Sequence, residues 1–127
     1  MKIMKLLLIS SMVLLIPCFA HAAASIALDK APINVDDKES LKRGAKSFVE
    51  YCLTCHGAEF MRYNRHRDLG MSESEIVDQL IHTGQKVGEL MESSMRKKEA
   101  ETWFGVVPPD LSVISRARGA DWLYTYL

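Results

Sequence analysis

Apolar residues fall along this chain in three patterns. The first is a continuous run near the start, LLLISSMVLLIPCF over residues 6–19, preceded by Lys2 and Lys5 and followed by Ala20-His21-Ala22. A positive start, a short apolar run and a small-x-small site together read as a secretory signal, residues 1–22, cut after Ala22 or one or two residues later. The run is too short to span a bilayer comfortably, which argues against an uncleaved anchor. Pro17 stands where a lipoprotein signal wants a small residue before Cys18. The second pattern is residues 23–37, AASIALDKAPINVDD, where apolar positions are scattered around a proline; this predicts an extended arm.

The third pattern is helical and fills residues 38–127. Leu41, Ala45, Phe48, Val49 and Cys52 lie at i, i+4, i+7, i+8 and i+11, one apolar stripe on a helix of about four turns starting near Asp37. Gly44 sits at the edge of that stripe, where it either admits a close neighbour or is simply tolerated on an exposed face. Residues 57–71 are polar and basic and read as a loop. Ser72 and Glu75 form a capping box, opening a helix with Ile76, Val77, Leu80 and Ile81 that stops near Gly84. Residues 85–96 read as irregular. KKEAETWF is a short helix closed by Gly105, and VVPPDLS is extended because a proline pushes its predecessor out of the helical region. After RARGA, Asp121 caps a last helix, DWLYTYL, with no stop signal at its end. We read that ending as a helix cut midway.

Composition narrows the function. The chain has 127 residues, 48% of them hydrophobic, enough for one domain with a core. Sixteen basic residues balance 16 acidic ones; without Lys2 and Lys5 the exported part has 14 against 16, a net charge of −2. That balance gives no support for a nucleic-acid or anionic-membrane partner. Loss of Cys18 leaves Cys52 and Cys55 as the thiols of an exported protein, with no further pair for a disulfide framework.

Those two cysteines stand in YCLTCH, residues 51–56. Three chemistries use two thiols at this spacing. A dithiol redox pair follows a strand in a βαβ setting, and no such setting is present. A tetrahedral zinc site needs four ligands; His66 and His82 are available, but at no common spacing. Covalent haem attachment needs two thiols for two thioether bonds and a histidine directly after the second thiol as an axial ligand, which His56 supplies.

Longer stretches carry a more specific likeness. RGAKSFVEYCLTCHGAEFMRYNR, TGQKVGELM and WFGVVPPDLSVISRARGADWLYTYL resemble the cytochrome c1 family, the haem subunits of ubiquinol–cytochrome c reductase (bc1) complexes, in their bacterial form. The resemblance covers about residues 40–127. It implies an all-α fold, a class I c-type cytochrome-like haem domain, incomplete here, on the periplasmic side of the inner membrane. It implies one covalent haem c held by Cys52 and Cys55, with His56 on the iron. It also implies a Pro109 carbonyl at the His56 ring N–H, Arg118 at a haem propionate, and Trp122 near the porphyrin edge. Arg116 or Arg118 alternatively belongs to a solvated turn, and Trp122 alternatively packs in the core against the first helix. The family's Met ligand and C-terminal membrane anchor fall past residue 127, so Met61, Met71, Met91 and Met95 would not be ligands.

The function so implied is electron transfer from the Rieske iron–sulfur protein to a soluble cytochrome c, alongside cytochrome b, with no substrate bond made or broken on this chain. Other readings are a free-standing periplasmic cytochrome using Met91 or Met95 as sixth ligand, a haem sensor or peroxidase-like protein with an open sixth position, and a thiol oxidoreductase without haem.

Overall fold

A computed structural model describes residues 26–127. The expected signal segment 1–22, with Cys18, and the first residues of the arm lie outside the described residues. The order of elements is α1 (Lys38–Tyr51), β1 (Ala58–Arg62), a 3-10 helix (Tyr63–Leu69), α2 (Glu73–Leu80), β2 (Leu90–Met91), α3 (Lys97–Phe104), α4 (Ile114–Arg118) and α5 (Ala120–Tyr126).

Helix α1 begins where the Asp37 carboxylate accepts the Ser40 N–H at 2.9 Å, which satisfies one of the free donors of the first turn. The C-terminal part of its stripe turns inward as expected, Val49 buried and Ala45 and Phe48 half-buried against the same cluster, but Leu41, at the start of the stripe, stays exposed. Gly44 faces open space, with no atom within 4 Å of a modest added methyl, so no neighbour depends on it. The capping box of α2 is formed in both directions, Ser72 Oγ accepting from the Glu75 N–H and Glu75 accepting from the Ser72 N–H. This helix ends at Leu80 rather than near Gly84. Ile81 turns to an extended backbone and packs on the core from there.

The core is the cluster Val49, Leu53, Tyr63, Met71, Ile76, Leu80 and Met91. It lies between α1, α2, the 3-10 helix and β2. Helices α4 and α5 bury no residue.

Two expectations need correcting. The domain is mostly helical, as expected, but within it β1 and β2 pair antiparallel, Ala58 opposite Met91 and Arg62 opposite Leu90, with an irregularity between. Bonds from Tyr63 N–H to Glu89 O and from Asn64 N–H to Val87 O continue the pairing. The polar loop expected at 57–71 is this strand and the 3-10 helix. The strand leaves little trace in the sequence because four of its five residues are exposed, so polar and apolar positions do not alternate. The second correction is at Asp121. Gly119, at φ 87°, ends α4 and starts α5, and no side chain caps α5. Asp121 instead accepts the Ala31 N–H at 2.9 Å and pairs with Lys30 at 3.2 Å. The Asp29 N–H donates to Thr125 Oγ1 at 2.9 Å. The arm thus runs along α5 and is fixed there by backbone donors that have no partner of their own. Among the described residues no helix is long and apolar enough to cross a membrane.

Candidate functional site

The C-x-x-C-H segment is a turn stacked on the end of α1. Phe48 O accepts from both the Cys52 and Leu53 N–H groups at 2.9 Å. Cys52 O then accepts from the Cys55 N–H at 3.0 Å and the His56 N–H at 2.8 Å. Leu53 is buried in the core and anchors the turn, while Cys52, Cys55 and His56 stay half-exposed and both thiols are free.

Two distant segments pin this turn. On one side Thr54 O accepts from Ser93 Oγ at 2.9 Å and from the Met95 N–H at 3.1 Å. On the other side lies the PPDLS segment. Leu111 N–H donates to Gly57 O at 2.8 Å. Asp110 Oδ2 accepts the Glu59 N–H at 2.8 Å, and Ser112 Oγ accepts the Phe60 N–H at 3.0 Å. His56 Nδ1 lies 2.8 Å from Pro109 O. A carbonyl oxygen can only accept, so Nδ1 carries a proton; in the neutral imidazole this tautomer leaves the lone pair on Nε2, the form a metal-ligating histidine needs. Burial works to raise the Asp110 pKa, but the bonds from Ser112 and from the Glu59 and Ser112 N–H groups outweigh it and hold the carboxyl below its ordinary 3.8. The bridge it makes is therefore intact above pH 3.8 and is lost as acid protonates the carboxylate below that.

Beside Cys55 an open cleft of about 510 Å³ has apolar walls from Met95, Ala100, Val107 and Pro108 and a charged rim that includes Glu59, Glu92, Lys97 and Asp110. A haem suits this donor set: two free thiols and an Nε2 lone pair on one turn, beside a partly apolar cleft. A zinc site does not, because among the described residues no three His, Cys, Asp or Glu side chains converge on a metal position. His66 is buried, with Nδ1 bonded to Tyr63 O at 2.9 Å.

The structure brings Cys52, Cys55, His56 and Pro109 together. Arg118 and Trp122 form a separate group on α4 and α5. The Arg118 guanidinium lies 5.2 Å from the Trp122 ring centre, and Trp122 stacks on Tyr126 at 4.8 Å. Cation–π contact of this kind orients the guanidinium without neutralising it. Trp122 is half-buried and outside the core cluster. Met71 and Met91 are core members, Met61 is exposed, and Met95 lines the cleft.

Three contributors escaped the sequence reading. Asp110 and Ser112 follow two prolines, a setting in which Asp commonly bonds its own backbone two residues on, and that was the available signal. Gly57 directly follows His56. A methyl group there would stand 3.0 Å from Asp110 Oδ2, 3.3 Å from Glu59 Cγ and 3.4 Å from Ser93 N. Gly57→Ala is accordingly expected to destabilise the protein by about 1–3 kcal/mol, the range for overpacking a filled site. Gly44→Ala, in open space inside α1, is expected to stabilise it by about 0.5–1 kcal/mol. Urea unfolding of both variants checks the pair; a stabilising Gly57→Ala would rule out the close packing.

A family model described as Cytochrome C1 family matches residues 29–127. The chain is 70% identical over 128 residues to a Nitrosomonas europaea protein named ammonia monooxygenase gamma subunit, covering all of this chain and 54% of that protein. It is 42% identical over 126 residues to cytochrome c1 of Allochromatium vinosum, covering 98% of this chain and 52% of that one. It is 29% identical over 110 residues to the cytochrome c1 heme protein of Euglena gracilis, covering 72% of this chain. The chain spans about half the length of the curated relatives it matches.

Proposed function

The chain belongs to the cytochrome c1 family, whose members carry covalently attached haem c, and we propose that it is the haem-bearing part of an electron-transfer subunit. Cys52 and Cys55 would hold one haem c by two thioethers, with His56 as the protein's ligand to its iron. The haem supplies a one-electron couple. The chain's own residues fix the attachment turn from both sides, hold the His56 proton on Nδ1 and set the imidazole's basicity through Pro109. Arg118, its guanidinium oriented by the stack on Trp122, would meet a propionate.

In this reading residues 1–22 direct export, 23–37 form the arm, and 38–127 belong to a class I c-type cytochrome-like domain on the periplasmic side of the inner membrane. Electrons pass from the Rieske iron–sulfur protein to a soluble cytochrome c within a bc1 complex that includes cytochrome b. The observation that carries the reading is the His56 Nδ1 to Pro109 O contact on the same turn as two free thiols. A dithiol redox protein has no use for it. Burial of Met91 in the core speaks against it as a sixth ligand in a free-standing cytochrome.

The name of the 70% identical relative favours a second reading, in which the chain serves an ammonia monooxygenase. Affinity purification of the tagged native protein separates the two. The bc1 reading expects cytochrome b and the Rieske protein in the purified complex, and quinol-driven reduction of the haem. Recovery of monooxygenase subunits without cytochrome b would overturn it.

A further inference from the structure

The His56–Pro109 contact has to be held by something other than buried apolar surface. Pro108 and Pro109 have no N–H to donate, and the helices that follow, α4 and α5, bury no residue. Hydrogen bonds do it: Leu111 N–H to Gly57 O and Phe60 N–H to Ser112 Oγ each tie the segment once, and the two oxygens of Asp110, next to Pro109 itself, bridge it twice. Oδ1 accepts the Ser112 N–H at 2.8 Å and folds the PPDLS segment on itself. Oδ2 accepts the Glu59 N–H at 2.8 Å and ties the segment to the chain leaving the attachment turn. The carboxylate sits tight against that turn, 3.0 Å from where a methyl on Gly57 would stand.

We propose that Asp110 is a positioning residue for the axial histidine: its bridge between Ser112 and Glu59 aims the Pro109 carbonyl at His56 Nδ1 and so fixes the basicity of Nε2. The proposal rests on the haem reading above. Asparagine cannot replace the carboxylate here. It has one acceptor oxygen, so in either orientation its NH2 group meets a backbone N–H and one of the two bonds is lost. A looser segment lengthens the Nδ1–H bond to Pro109. The imidazole then donates less to ferric iron, and the reduction potential rises.

The test uses the full chain matured with haem in a host that attaches it. Wild type is compared with Asp110→Asn, Asp110→Ala and Ser72→Ala, the last removing the capping box of α2, remote in sequence from the PPDLS segment. Potentials are read by redox titration, and the His56 ring N–H by its exchange rate in the NMR spectrum of the reduced protein. Both Asp110 variants are expected to keep covalent haem, shift the potential upward and speed exchange of the ring proton. Ser72→Ala is expected to lose thermal stability with the potential unchanged. If Asp110→Ala yields no haem protein, Asp110→Asn decides alone. A potential and exchange rate equal to wild type in Asp110→Asn overturn the proposal. So does an equal upward shift in Ser72→Ala, since general loosening would then explain it. Absence of covalent haem from the wild type would instead sink the haem reading, and is visible on a gel before any titration.

Discussion

With Cys52 and Cys55 both changed to alanine, the protein is expected to carry no haem through a denaturing gel. Among the described residues these are the two free thiols, and each thioether needs one. The turn that presents them is closed by Cys52 O through backbone bonds to residues 55 and 56, so its shape survives loss of the sulfurs and the change is one of chemistry. His56 alone does not replace them, because an axial bond breaks when the protein unfolds and a thioether does not. The contrast is His56→Ala, expected to keep the haem on the gel while altering its absorption spectrum through loss of an iron ligand. Haem-dependent peroxidase staining reads both. A stain undiminished in the double cysteine variant would rule out covalent attachment at this turn.

The second large effect is on stability. Leu80→Ala is expected to cost about 2–5 kcal/mol, the range for truncating a buried leucine. Leu80 is 0% exposed and shares the core with Ile76, Tyr63, Val49 and Leu53. It ends an eight-residue helix, too short to persist without packing. Domains of this size have about 5–15 kcal/mol in total, so the variant is expected to approach unfolding. Val77→Ala on the exposed face of the same helix is expected to change stability by less than about 0.5 kcal/mol. Urea melts of the two variants, normalised to wild type, decide. A cost below about 1 kcal/mol for Leu80→Ala would mean that α2 is not docked as described.

The elements legible in advance were those whose signal is local. Ser72 and Glu75 announce a helix start because their two bonds close within three residues. Gly105 announces an end because the chain there needs the left-handed region, φ 73°, which glycine enters without cost. The stripe through Ala45, Phe48 and Val49 is a period that one helix turns to the core on one side, with Leu41 left exposed at its start. Strand β1 carries no such signal. Its residues are mostly exposed, and what makes it a strand is a partner about thirty residues away.

By itself, then, the sequence determined a turn that carries two thiols and an imidazole together, since Cys52, Cys55 and His56 lie within five residues and a single turn of backbone groups them. The tertiary structure decided which groups serve that turn. Asp121 was free to cap α5 and instead holds Ala31, 90 residues away. Asp110 reaches across 51 residues to Glu59, and His56 across 53 to Pro109, a contact that only the family resemblance had suggested. The physical reason is that a carboxylate or carbonyl bonds whichever unpaired donor packing delivers to it. Delivery depends on where α1, the sheet and the PPDLS segment come to rest, and no local period encodes that.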